Sequence, residues 1–123
     1  MARPRMNVTV EGLDELKAKL AQMPEKIRTG AEAAVRDETE EVADDMRAFA
    51  PVATGELKDS IQAEVDGLSG AAAATARHAT FVEHGTSDTP EQPFALPAAE
   101  QSRQRFGDRM REAVGGELKD LTS

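Results

Sequence analysis

The chain has 123 residues, with 23 Asp plus Glu against 15 Lys plus Arg and a formal charge of −8. That length suits one domain with one modest core. The charge excludes general nucleic-acid binding, which depends on Lys and Arg contacts to phosphate, though not a surface that DNA slides past.

With no Cys there is no disulfide framework, no thiolate nucleophile and no Cys-ligated zinc. Aromatics are 3% of the chain, as Phe49, Phe81, Phe94 and Phe106, and Ala supplies much of the 39% apolar content. Each buried CH₂ contributes about 0.8 kcal/mol, so an Ala-rich core favours a marginal monomer that gains by burying surface against a partner. Composition thus leans toward an assembly subunit. No apolar run approaches the roughly 18 residues of a membrane span, and MARPRMNVTV lacks the apolar region of a secretory signal. The expectation is a soluble protein made without export.

Met6 to Val10 alternates apolar and polar positions with β-branched residues and predicts a strand. Leu13, Leu16 and Leu20 then fall on one face of a short helix. From Pro24 to about Ala50 apolar or small residues recur at helical spacing (Ile27, Ala31, Ala34, Val35, Val42, Met46, Phe49), predicting one long amphipathic helix with an acidic outer face. Pro51 stops it, because a proline disfavours helical geometry in the residue before it.

Ala50 to Leu57 reads as a loop with a Thr54-Gly55 turn, leading through Lys58-Asp59-Ser60 into a strand over Ile61 to Val65. Asp66 to Gly70 is a turn whose two glycines allow positive φ, with a returning strand over Ala71 to Arg77. His78 to His84 suits one or two helical turns closed by Gly85. Thr86 to Gln92 is an exposed loop. A final helix starts near Pro97, with Ala99, Phe106, Met110, Leu118 and Leu121 on one face, weakened by Gly107 and Gly115-Gly116.

His78, Glu83 and His84 are the residues to test for a metal-assisted hydrolase. The two His are six apart, not at the i, i+4 spacing that puts two ligands on one helix face. None of Ser60, Ser69, Ser87 or Ser102 lies in a Gly-x-Ser-x-Gly elbow, and the glycines form no phosphate-cradling pattern. No catalytic residue, metal ligand or cofactor site is assigned.

Six acids between Asp37 and Asp45 form either a solvated helix face or a wall that repels DNA phosphate or meets a basic partner. Arg103, Arg105, Arg109 and Arg111 make pairs within their own helix and at the surface, or meet the acidic helix of a neighbouring subunit. Opposite-sign faces on one chain permit a head-to-tail ring.

Two stretches read together carry a resemblance. Ala50-Pro51-Val52-Ala53-Thr54-Gly55-Glu56-Leu57-Lys58-Asp59-Ser60-Ile61 is similar to the A-P-V-x-T-G-x-L-x-x-S-I stretch of the gene-product-ten-like (HK-ninety-seven type) neck and tail-component family of long-tailed bacteriophages. Phe81-Val82-Glu83-His84-Gly85-Thr86, followed by Gln92-Pro93-Phe94-Ala95-Leu96-Pro97-Ala98, resembles that family's Y-V-E-x-G-T … x-P-F-x-x-P-A. The order of elements matches as well, from about Val8 to Val114. Phe81 stands where the family often has Tyr, and His84 where an aromatic is frequent.

The resemblance implies an α+β fold, with long N-terminal and C-terminal helices packed on a small, mainly antiparallel β-sheet. The domain would cover residues 1–123, with flexible ends at about 1–5 and 116–123. It also implies a virion assembly protein and not an enzyme: a ring of about six or twelve copies that joins the head connector or stopper to the tail tube or tail terminator. DNA would pass through without specific binding, and no membrane is involved. Assembly would take place in the bacterial host cytoplasm.

Pro51, Thr54, Gly55, Leu57, Phe81, Pro93, Phe94 and Pro97 are the expected structural motif, with the core organised around Phe81 and Phe94. Glu83, Gly85, Thr86, Ser87, Asp88, Arg103, Arg105 and Arg109 are the expected contact surface. The loop from Gly85 to Gln92 reads as a docking element ordered on assembly. Asp37, Glu38, Glu41 and Asp45 are the expected DNA-facing acids. The competing reading is an acidic inhibitor or DNA mimic using that Asp37 to Asp45 face.

Overall fold

Pro24 and Pro51 bracket a proline-free stretch, and between them the chain forms a single helix, α1, over Glu25–Phe49. A computed structural model describes residues 6–11, 22, 24–51 and 55–122. Ahead of α1 lies strand β1 (Met6–Glu11). After it come the one-turn helix α2 (Glu56–Asp59), strands β2 (Ile61–Asp66) and β3 (Ser69–Ala74), the short helix α3 (Ala79–His84), and the final helix α4 (Ala95–Thr122). The short helix expected at Leu13 to Leu20, the position of Thr54 and the side chains of Leu118 and Leu121 lie outside the described residues.

The three strands form one antiparallel sheet in the order β1-β3-β2. Asp66 pairs with Ser69, leaving Gly67-Leu68 as a two-residue hairpin loop. Gly67 has φ 60°, the positive value that the first position of such a loop requires. The turn is therefore shorter than the sequence suggested, and β3 begins at Ser69 and ends at Ala74.

Gly70 is accordingly not a turn residue. It lies buried within β3 under α1, where a Cβ would stand 2.1 Å from Thr39 Oγ1. This explains the small residues Gly70, Ala72 and Ala74 on the inner face of a central strand that propensity disfavours. Larger side chains would push α1 off the sheet, and close approach of helix to strand outweighs local preference. The opposite sheet face carries the exposed Asn7, Thr9, Gln62 and Glu64 in the alternation of a half-solvated sheet.

The core lies between the inner sheet face and the two long helices. It gathers Val8, Val42, Met46, Leu57, Ile61, Ala72, Ala74 and Phe94, with Phe94 fully buried. A smaller cluster of Ile27 and Ala31 packs with Leu68, Met110 and Val114 at the other end. Phe81 corrects an expectation: it is 61% exposed and belongs to neither cluster. On α3 it is Ala79 and Glu83 that are buried, so Phe81 falls on the solvent side.

The stretch before β2 also differs from expectation. Glu56–Asp59 is helical, and it turns Leu57 into the core. Ser60 Oγ donates to the Leu57 carbonyl at 2.8 Å and closes that turn.

Candidate functional site

The two family-like stretches and the two charge clusters supply the candidate positions. Glu83 lies on α3 and is 4% exposed. Its Oε1 accepts hydrogen bonds from the backbone N–H groups of Phe94 (2.9 Å) and Ala95 (2.8 Å), and its Oε2 accepts from Leu96 (3.1 Å). A helix leaves its first N–H groups without intrahelical partners, and an anion there also meets the positive end of the helix dipole. Glu83 thus caps α4 from a different helix. This corrects one expectation, since the buried carboxylate is committed to α4 and not to a subunit contact. Among the described residues no cluster of His, Asp and Glu is placed to hold a metal ion.

Gly85 ends α3, its N–H donating to the Phe81 carbonyl at 2.7 Å. It takes φ 76°, and a Cβ there would lie 2.8 Å from the Glu91 nitrogen, so neither the backbone angle nor the space admits a side chain. The loop that follows is hydrogen-bonded within the chain. Thr86 N–H donates to the Thr89 carbonyl at 2.9 Å, Thr86 Oγ1 accepts from Thr89 N–H at 3.0 Å, and Gln92 N–H donates to the Val82 carbonyl at 2.8 Å. These hydrogen bonds define the loop's shape within one chain. Thr86, Ser87 and Asp88 are exposed along it.

The charge clusters meet within one chain. Glu38 is fully buried, and its Oε2 accepts hydrogen bonds from Ser102 Oγ (2.7 Å), Arg105 Nε (3.0 Å) and Arg105 Nη2 (2.6 Å). Arg105 Nη1 donates to Asp45 at 2.9 Å and lies 3.3 Å from Glu41. Arg109 pairs with Glu41, and its Nη1 lies 3.7 Å from Glu38. The hydrogen bonds to Glu38 hold the Arg105 guanidinium pKa above its ordinary value, against the lowering effect of burial and with Asp45 adding to the rise.

Glu38 is therefore not a DNA-facing acid, and Arg105 and Arg109 are engaged by α1 of their own chain. The sequence held a signal for this. Glu38 falls three residues after Val35 and four before Val42, inside the apolar stripe, and a charge there needs a buried partner. Ser102, Arg105 and Arg109, three and four residues apart, supply it from one face of α4. Ser102 is the contributor that sequence reasoning missed.

Outside this network α1 still presents acid to solvent. Asp37, Glu40 and Asp44 are exposed and, with Glu41 and Glu112, line a groove between α1 and α4 floored by Gly30, Ala33 and Ala113. Arg109 is the cation in that lining. Arg103 is exposed, while Arg111 pairs with Asp108 one turn away.

Leu57, Glu83, Gly85, Phe94 and Pro97 thus have structural duties, and the candidate positions left exposed lie in the loop, on the acidic groove and at Arg103. Residues 14–85, more than half of the chain, match the family described as "Bacteriophage HK97-gp10, putative tail-component". The chain belongs to the HK97-gp10-like family. Comparison with curated proteins and with solved structures returns no match. The matched span covers α1, the first motif, the sheet hairpin and α3, and ends at Gly85. The α+β arrangement of the chain, long helices on a small antiparallel sheet, is the one expected of an HK97-gp10-like protein. The family is one of bacteriophage tail components, which places this protein with structural virion proteins. Among the described residues no helix is long and apolar enough to cross a membrane.

Proposed function

We propose that this HK97-gp10-like protein is the subunit of a homo-oligomeric ring at the head-tail junction, joining the head connector to the tail tube around the DNA path. It acts there by contact and not by catalysis. The observation that carries the reading is the groove beside α1, where Asp37, Glu40, Glu41, Asp44 and Glu112 face a single arginine. A channel lined by such a surface repels phosphate and lets DNA pass without holding it.

The exposed Thr86-Ser87-Asp88 segment and Arg103 are the contact positions that remain once Glu83, Arg105 and Arg109 are committed internally. A DNA-mimic role is less well supported, because Glu38, Glu41 and Asp45 already face arginines.

Sedimentation velocity and native mass measurement of the purified protein, alone and with its connector and tail-tube proteins, test the proposal. A discrete closed oligomer, formed alone or on a partner, is the expected result. A chain that stays monomeric and binds neither partner overturns it.

A further inference from the structure

Strand β1 is an edge strand, pairing among the described residues with β3 alone. Beside it runs a groove of about 480 Å³ whose walls include Val8 and Thr9 on one side and Pro93, Ala95, Leu96 and Ala99 on the other. Leu96 is 55% exposed in it.

The groove has a geometric origin. Helix α1 packs over all three strands, most closely over β2 and β3, and α4 packs over β1 beside it. Two packed helices, with axes about 8–10 Å apart and each about 10 Å across, cover about 20 Å. Three strands at about 4.8 Å cover only about 14 Å. Among the described residues the sheet is thus about one strand narrower than the helix layer above it, and the exposed Leu96 of α4 lies in the groove at the β1 edge.

We infer that this slot accepts a lone extended arm of another protein, added as a fourth strand beside β1. The outer edge of β1 supplies backbone donors and acceptors, and alternate side chains of the arm pack under Pro93, Leu96 and Ala99. A sheet edge of a second copy does not suit the slot. Each edge strand lies under a long helix, β2 under α1 and β1 under both α1 and α4, and in a second copy that helix would need the space α4 already fills. Arg47 also donates to the Ile61 carbonyl of β2 at 2.6 Å, occupying part of that other edge.

Charge narrows the chemistry further. Glu91 lines the groove and the chain carries −8, so the arm has apolar residues at every second position and neutral or basic ones between. The inference goes beyond the ring proposal, since the slot is present in one copy whether or not a ring closes.

The probe is an acetylated, amidated octapeptide of alternating valine and lysine, titrated against the full chain while amide exchange is followed. Saturable binding below about 1 mM is expected, with exchange at Asn7 and Thr9, whose N–H groups point away from β3, slowed by about tenfold at saturation. Leu96→Asp, at an exposed position, should melt like the parent and weaken binding by about tenfold. The same side chains on an N-methylated backbone should not bind. Binding that survives N-methylation, or that holds or tightens in Leu96→Asp, would reduce the effect to charge attraction and overturn the proposal. Absence of saturation would overturn it too. Protection of β1 that grows with protein concentration without peptide would assign the edge to a second copy instead.

Discussion

Gly70 in β3 lies so close to Thr39 in α1 that a Cβ on the glycine would stand 2.1 Å from the threonine Oγ1 and 3.2 Å from its Cβ. The hydroxyl is itself anchored, donating to the Val35 carbonyl at 2.7 Å. Gly70→Ala therefore overpacks the helix-sheet contact and should cost about 1–3 kcal/mol in urea denaturation. Thr39→Ala alone removes a hydrogen bond of about 1 kcal/mol. Combined with Gly70→Ala it also removes the closest clash, so the double variant should be less destabilised than the sum of the singles. Strict additivity would show that Thr39 is not what the added methyl meets.

This contact also marks where sequence reading succeeds and where it stops. Helical spacing from Ile27 to Met46 and the two flanking prolines located α1, and alternation located β1 and β2, because these signals depend on neighbours in the chain. Gly70 looked like half of a two-glycine turn, since its reason for being glycine is a threonine 31 positions earlier. Glu38 looked like one more member of an acidic run, although its place in the apolar stripe identified it as buried. Phe81 counted as core because the chain has few aromatics, yet a helix with Ala79 and Glu83 inward puts position 81 outward. Local pattern set the elements, and long-range contact decided the roles.

The Glu38–Arg105 pair couples the two long helices, and its energetics depend on what remains when one partner is removed. Arg105→Met leaves Glu38 fully buried with Ser102 and a more distant Arg109. Loss of one member of a buried pair costs about 3–5 kcal/mol. Replacing both partners, as Glu38→Met with Arg105→Met, removes the buried charge and should recover most of that loss. Thermal melts of the three variants check this. A double variant no more stable than Arg105→Met would mean that packing of the arginine stem, not charge, sets the cost.

Phe94 and Phe81 differ in burial, and the difference predicts opposite results. Phe94 is the largest fully buried side chain, so Phe94→Ala should cost about 3–5 kcal/mol. Phe81, 61% exposed, should lose no more than about 0.5 kcal/mol when replaced by Ser. Chemical denaturation of the two variants under one set of conditions gives both values. A large loss at Phe81 would show that it packs into the interior after all.

Glu83 reaches across to α4 and settles a defined set of groups. The first four N–H positions of that helix are Phe94, Ala95, Leu96 and Pro97; the carboxylate takes the first three, and proline has no N–H to satisfy. The motif's Glu and its second proline are thus parts of one solution. Glu83→Ala leaves three donors without the carboxylate and should cost about 2–3 kcal/mol. Glu83→Gln keeps one acceptor oxygen for Phe94 and Ala95 but turns an amide NH₂ toward the Leu96 N–H, donor against donor, so its loss should be intermediate. Hydrogen exchange supplies the second readout. Amides 94, 95 and 96 should speed up in the Ala variant, whereas in the Gln variant Leu96 should respond most. Equal exchange in both variants, or an Ala variant as stable as the parent, would show that water caps α4 as well as Glu83 does.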